Sequence, residues 1–180
     1  DIVTLDNVIT CLQRAEMVMK IAKEVQNAIY ELGEDGLLVK MQLEELIENM
    51  PEEELLIVKD YIAPNKRITP EKVLEQIKSE MEIDIKDQNK IAKYLGYEIF
   101  ENYEEIAVYP KGYRILNKIP RMPNVIVNNL VKNFKSFQHI LAADIDQLDD
   151  VEGIGEVRAR TIKQSLKRME EQFVFDNLGI

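Results

Sequence analysis

The sequence predicts an all-α protein, a helical bundle over residues 1–109 followed by a tandem helix-hairpin-helix unit over residues 110–180. Three observations carry that prediction. Apolar residues recur at helical spacing from Leu5 to Ile29, and Gly and Pro fall where such stretches end. A short Gly-Ile-Gly turn opens into an amphipathic segment and has a degenerate counterpart 32 residues upstream.

Leu5, Val8, Leu12, Ala15, Met19, Ala22, Gln26 and Ile29 step by three and four, so one long helix is expected from about Thr4 to Leu32. Cys11 lies close to that stripe and is expected to be a small core residue. Gly33, Asp35 and Gly36 break the helix, and Leu37, Met41 and Leu43 to Ile47 begin a second, ending near Met50. Pro51 suits the first position of a third helix, where its missing N–H costs nothing and Glu52, Glu53 and Glu54 favour the positive end of the dipole. These acids read as a helix start and not as a metal site. The expected apolar face is Leu55, Leu56, Val58 and Ile62.

Thr69, Pro70 and Glu71 start a fourth helix with Val73, Leu74, Ile77 and Met81 inward, and a fifth should run from about Lys86 to Leu95, stopping at Gly96. Ile99 to Tyr109 is β-prone but too short and lightly patterned for a sheet, and reads as the irregular end of the bundle. Pro110, Lys111 and Gly112 then punctuate the chain.

Beyond that boundary, a shift of 32 residues aligns Leu116 with Leu148, Ile119 with Val151, Met122 with Ile154, Val127 with Ala159, Leu130 with Ile162 and Phe134 with Leu166. Two hairpins are therefore expected, joined by a short helix around Phe137 to Leu141, with Asp144 capping the helix that enters the second. In the second, Gly153 and Gly155 permit a tight turn while Ile154 turns back into the core, and the small Ala159 allows close helix packing. The free N–H groups of such a turn and of the first helical turn converge on a concavity suited to a phosphate oxygen. In the first hairpin Arg121 and Pro123 occupy the glycine positions, leaving a rigid turn with fewer donors.

The net charge of -10 alone would argue against nucleic acid, but it is unevenly spread. Residues 1–110 hold 12 Lys and Arg against 24 Asp and Glu, whereas residues 111–180 hold 11 against 9. After Gly155, Ala159, Ile162, Leu166, Met169 and Phe173 share one side of a helix, and Arg160, Lys163 and Lys167 share the opposite one. The candidate DNA-contacting residues are Gly153, Ile154, Gly155, Arg158, Arg160, Lys163, Lys167 and Arg121. Contacts of this kind meet phosphates and read no bases, so shape sets any preference. A lysine-rich helix face is often merely solvated, Arg121 suits a minor phosphate contact or a plain surface charge equally, and hairpins of this kind can also contact protein.

No catalytic or cofactor-binding motif is present. His139 has no Cys, His or carboxylate at ligand spacing, so no metal or acid-base role is expected of it. No apolar run approaches the roughly 20 residues of a membrane span. The single Cys11 fits a reducing cytoplasm. Starting at Asp1 inside helix-forming sequence, the chain reads as a fragment or a processed product.

Leu12-Gln13-Arg14-Ala15-Glu16-Met17-Val18, Met41-Gln42-Leu43-Glu44-Glu45-Leu46, Tyr109-Pro110-Lys111-Gly112-Tyr113-Arg114 and Val151-Glu152-Gly153-Ile154-Gly155 together resemble the DisA family of DNA integrity scanning proteins. Residues 1–109 look like its helical linker or spine, and 110–180 like its tandem hairpin domain, which is similar to the second domain of RuvA. The resemblance implies a bacterial, cytoplasmic, nucleoid-associated protein of DNA repair that scans for branched DNA. It also implies cyclic di-AMP synthesis from ATP with a divalent metal such as Mg by an N-terminal diadenylate cyclase domain, whose Asp-Gly-Ala and Arg-His-Arg motifs this chain lacks. No cofactor is then expected here, the partners being DNA and the rest of the same polypeptide. The full-length protein would be a homo-oligomer, the fragment alone a possible monomer. Glu156 and Val157 depart from the family of DNA-binding hairpins, many of which place lysines there.

Overall fold

The computed structural model describes residues 2–83 and 86–178, excepting the side chains of residues 35, 82, 83 and 173–178. It is helical, with no strand among the described residues, and separates into two compact units, Asp1–Val108 and Tyr109–Ile180.

In the first unit α1 spans Leu5–Glu31, α2 Leu37–Ile47, α3 Met50–Tyr61, α4 Pro70–Ile83 and α5 Gln88–Leu95. Thr4 starts α1 with a reciprocal cap: the Asn7 amide donates to the Thr4 hydroxyl, and the Thr4 amide donates to Asn7 Oδ1 at 3.0 Å. Leu5, Val8, Leu12, Ala22 and Ile29 of the expected stripe are buried, with Ala15, Met19 and Gln26 half-buried between them. Leu5, Val8 and Leu12, with Ile9, meet Ile57, Val58 and Tyr61 of α3, Val73, Leu74, Ile77 and Met81 of α4, and Ile91 and Leu95 of α5 in one core.

The segment after Gly96 pairs with the start of the chain through the single bridge Thr4–Ala107, where the Leu5 amide donates to Ile106 O at 2.8 Å and the Val108 amide to Val3 O at 2.9 Å. With so short an extended partner at residues 3 and 4, its β-prone residues build no ladder.

Three expectations in this unit are corrected. Cys11 is exposed, because Leu12 and Val8 take the inward positions and the helix turns Cys11 away from them. Pro51 is the second residue of α3, after Met50. The inward face of α3 is Glu54, Ile57, Val58 and Tyr61, leaving Leu55 and Leu56 half-buried. Glu54 is thus no solvated helix-start acid: its side chain is 1% exposed and lies 3.3 Å from Lys78 Nζ, which is also 3.3 Å from Glu16. A cation on α4 therefore holds one carboxylate each from α1 and α3. Burial first, then the Glu16 carboxylate, push the Glu54 carboxyl up to about 8, against the pull of Lys78. Burial lowers Lys78, but Glu54 and Glu16 outweigh it and hold the ammonium above its ordinary range.

The second unit contains α6 Tyr113–Leu116, α7 Asn124–Phe134, α8 Phe137–Ala142, α9 Ile145–Asp149 and α10 Glu156–Leu178. Its core is built from the aligned repeat positions, Leu116 and Leu148, Ile119 and Val151, Val127 and Ala159, Leu130 and Ile162, together with Ile140, Ile154 and Leu166. Met122 and Phe134 pack on it half-buried, and the Phe173 side chain lies outside the described residues. The repeat holds in backbone as in sequence, since α7 starts at Asn124 and α10 at Glu156, 32 residues apart.

Candidate nucleic-acid interface

Asp144 fixes the approach to the second hairpin. Its carboxylate accepts from the Gln147 amide at 2.8 Å while Gln147 Oε1 accepts from the Asp144 amide at 3.0 Å, closing a capping box at the start of α9. After α9 the chain folds back through a turn in which the Ile154 amide donates to Val151 O at 2.9 Å, with Gly153 at φ +82°. Ile154, only 5% exposed, anchors the turn in the core. The Ala159 amide donates to Gly155 O at 2.9 Å, which begins α10 and leaves its first N–H groups without intrahelical acceptors.

The two glycines do different things. Only Gly153 has positive φ, and a Cβ there would come within 2.8 Å of Ile126 Cδ1. At Gly155 the backbone is ordinary and a Cβ would meet no atom within 4 Å, so the expectation that both glycines serve the tight turn is corrected. Gly155 faces open space beside the free amides of α10. Gly155→Leu is accordingly expected to cost less than about 1 kcal/mol of stability, whereas Gly153→Ala costs about 1–2 kcal/mol from its left-handed backbone. Thermal unfolding of the two variants checks the order, and equal losses would refute the distinction.

Arg121, at the repeat position of Gly153, holds the same backbone state at φ +60° without being glycine. Pro123, at the position of Gly155, precedes α7 and offers no N–H. The fold brings the hairpins together: Ile119, Pro120, Arg121 and Met122 of the first and Gly155, Glu156, Val157, Arg158 and Thr161 of the second line one open cleft of about 560 Å³. Asn129 on α7, which sequence patterning passes over, ties the repeats together by donating to Glu152 O at 2.9 Å.

The cations divide into separate groups. Arg121 and Arg158 line the cleft, and Arg158 Nη1 donates to Gly153 O at 2.5 Å, bracing the turn from outside. Arg160 is exposed but paired, with Nη2 donating to Glu156 Oε1 at 2.6 Å and Nε at 3.2 Å. Lys167, also exposed, lies 3.9 Å from Glu171. Lys163 departs from the expected basic face. Its ammonium donates to Leu141 O at 2.7 Å and Ala143 O at 2.6 Å, carbonyls left open where α8 ends, so it closes a helix end within the unit. Val125 and Val157, 32 residues apart, are 66% and 81% exposed on the first turns of α7 and α10. His139 Nδ1 lies 3.0 Å from the Ser136 hydroxyl and 3.1 Å from Phe134 O, a structural role at the start of α8. Among the described residues no three His, Cys, Asp or Glu side chains come together as a metal-binding group.

Two hairpins around one core, related by a 32-residue repeat, define a tandem helix-hairpin-helix protein. Residues 113–168 match the SAM-like helix-hairpin-helix tandem family, and residues 1–104 match the DisA bacterial checkpoint controller linker region. The chain belongs to the DisA family. It is 48% identical over 172 residues, 96% of its length, to the DNA integrity scanning protein DisA of Carboxydothermus hydrogenoformans, and 44% identical over 177 residues, 98% of its length, to that of Acetivibrio thermocellus. The DNA integrity scanning protein DisA of Clostridium botulinum strain Eklund 17B is 42% identical over 176 residues. The alignments cover 49% of each of these three proteins, so the chain spans about half the length of the curated relatives it matches. The two family matches account for a linker and a hairpin tandem, and no helix among the described residues is long and apolar enough to cross a membrane.

Proposed function

We propose that this chain binds DNA through its phosphate backbone, choosing branched structures by shape, and passes that state to a diadenylate cyclase domain elsewhere in the full-length protein. The observation that carries the reading is the open space at Gly155 beside the first amides of α10, with Arg121 and Arg158 in the same cleft. A phosphate oxygen there would meet backbone donors, the helix dipole and two guanidinium groups. Gly153 and Ile154 shape that turn, Lys167 supplies an outer contact once drawn from Glu171, and Arg160 is held back from one by Glu156. In this reading ATP and Mg belong to the cyclase domain, the full-length protein is a homo-oligomer working in the cytoplasm at the nucleoid, and several copies offset a weak single site by avidity.

Gly155→Leu places a side chain where the phosphate would lie and is expected to weaken junction binding more than tenfold with the helical content unchanged. Unaltered affinity would dismiss the phosphate turn. The acidic Glu156 and the exposed Val157 favour a second reading, in which the hairpins contact protein. A salt series on branched DNA separates the two, since each phosphate contact adds about 0.9 to the slope of log affinity against log salt.

A further inference from the structure

Val125 and Val157 hold equivalent places in the 32-residue repeat, each the second residue of a helix that opens from its hairpin, α7 and α10. Among the described residues they are the most exposed large apolar side chains of the second unit. Folding does not ask for valine at either place. A β-branched residue on an exposed helix surface lowers helix propensity slightly and buries nothing. The residues on either side differ between the copies, Asn124 against Glu156 and Ile126 against Arg158, so the agreement is confined to the valine.

We infer that these two valines lie against the sugars of the bound backbone and select deoxyribose over ribose, an inference that rests on the phosphate-backbone reading above. Helical side chains lean toward the N-terminal end of their helix, so Val157 leans toward the free amides of α10 and the cleft that it lines with Gly155, Arg121 and Arg158. A phosphate held there brings its flanking sugars within reach, and their carbons are the apolar surface nearest to a phosphate. The C2′ of deoxyribose is a methylene, which valine covers without burying a polar group. Ribose carries a hydroxyl at C2′, displayed on the minor-groove side, where RNA and DNA are told apart. Valine offers that hydroxyl neither donor nor acceptor, so it loses its water and gains no partner. Val125 repeats the contact more weakly, because Pro123 takes a backbone donor from the phosphate site of the first hairpin.

Binding of the 180-residue chain to four-way junctions of one sequence built from DNA, RNA or 2′-fluoro RNA tests it. The RNA and 2′-fluoro junctions share helical form and sugar pucker and differ in the hydroxyl, so their comparison cancels shape. The RNA junction is expected to bind about tenfold more weakly than the 2′-fluoro junction. Val125→Thr with Val157→Thr presents hydroxyls on side chains of the same shape and is expected to narrow that gap to about twofold, Val157→Thr alone giving most of the change. Both positions are exposed, and circular dichroism checks that the helices are kept. Equal affinity for the RNA and 2′-fluoro junctions overturns the inference. So does a gap that the threonine pair leaves intact, which would assign the valines to a protein partner. Neither outcome touches the phosphate turn, which fails instead if Gly155→Leu leaves DNA binding unaltered.

Discussion

Replacing Glu156 with lysine is expected to tighten branched-DNA binding about thirtyfold at physiological salt, since two phosphate contacts are gained and each is worth roughly five- to sixfold there. The first contact is the new ammonium on the opening turn of α10, beside the cleft that Gly155 and Arg158 line. The second is Arg160, whose guanidinium is held by Glu156 Oε1 at 2.6 and 3.2 Å and is released when that carboxylate goes. Both residues of the pair are more than half exposed, so the ion pair itself contributes little to folding and its loss leaves stability nearly unchanged. Glu156→Gln releases Arg160 without adding a charge and should give about half the effect on a logarithmic scale. Binding isotherms across a salt series provide the check: the lysine variant should raise the slope by about two contacts and the glutamine variant by about one. Identical slopes for parent and lysine variant would place the phosphates elsewhere on the molecule.

The tandem hairpins were legible because their evidence is periodic. Leu116, Ile119, Leu130 and their partners 32 residues on are apolar in sequence and buried in the fold, and a hairpin's anchors are the positions that cannot be polar. Arg121 was placed opposite Gly153 by the same register, and its positive φ follows from that equivalence although the residue type conceals it. The stripe of α1 was readable for the same reason. What sequence did not disclose were interactions whose partners lie far along the chain. Lys163 looks like any other member of a basic face until α8 ends beside it and leaves the carbonyls of Leu141 and Ala143 to be satisfied. Gly155 reads in the sequence as a source of conformational freedom, whereas its backbone is ordinary and a Cβ there would meet open space.

Glu54 shows the same limit in the first unit, and it makes the stability of that unit depend on pH. At position 54 the helical stripe of α3 demands an inward residue, and patterning that looks for apolar side chains passes over a glutamate. In the folded chain its carboxyl titrates at about 8, against an ordinary value of 4.5. The folded state therefore holds a proton that the unfolded state has already released between these values, so stability falls as pH rises from about 4.5 to about 8 and levels off above. Glu54→Gln keeps the shape and polarity of the group while removing its titration. The difference in unfolding free energy between variant and parent should be near zero below pH 4.5 and grow to on the order of 3 kcal/mol in favour of the variant above pH 8. Lys78→Met acts in the opposite sense, because Glu16 and Glu54 then lose their shared cation and a charged Glu54 becomes costlier to bury. Urea unfolding of parent and both variants between pH 4.5 and 9 resolves these curves. Parallel curves for parent and Glu54→Gln would mean that Glu54 stays ionised in the core, with Lys78 alone sufficient to hold both carboxylates.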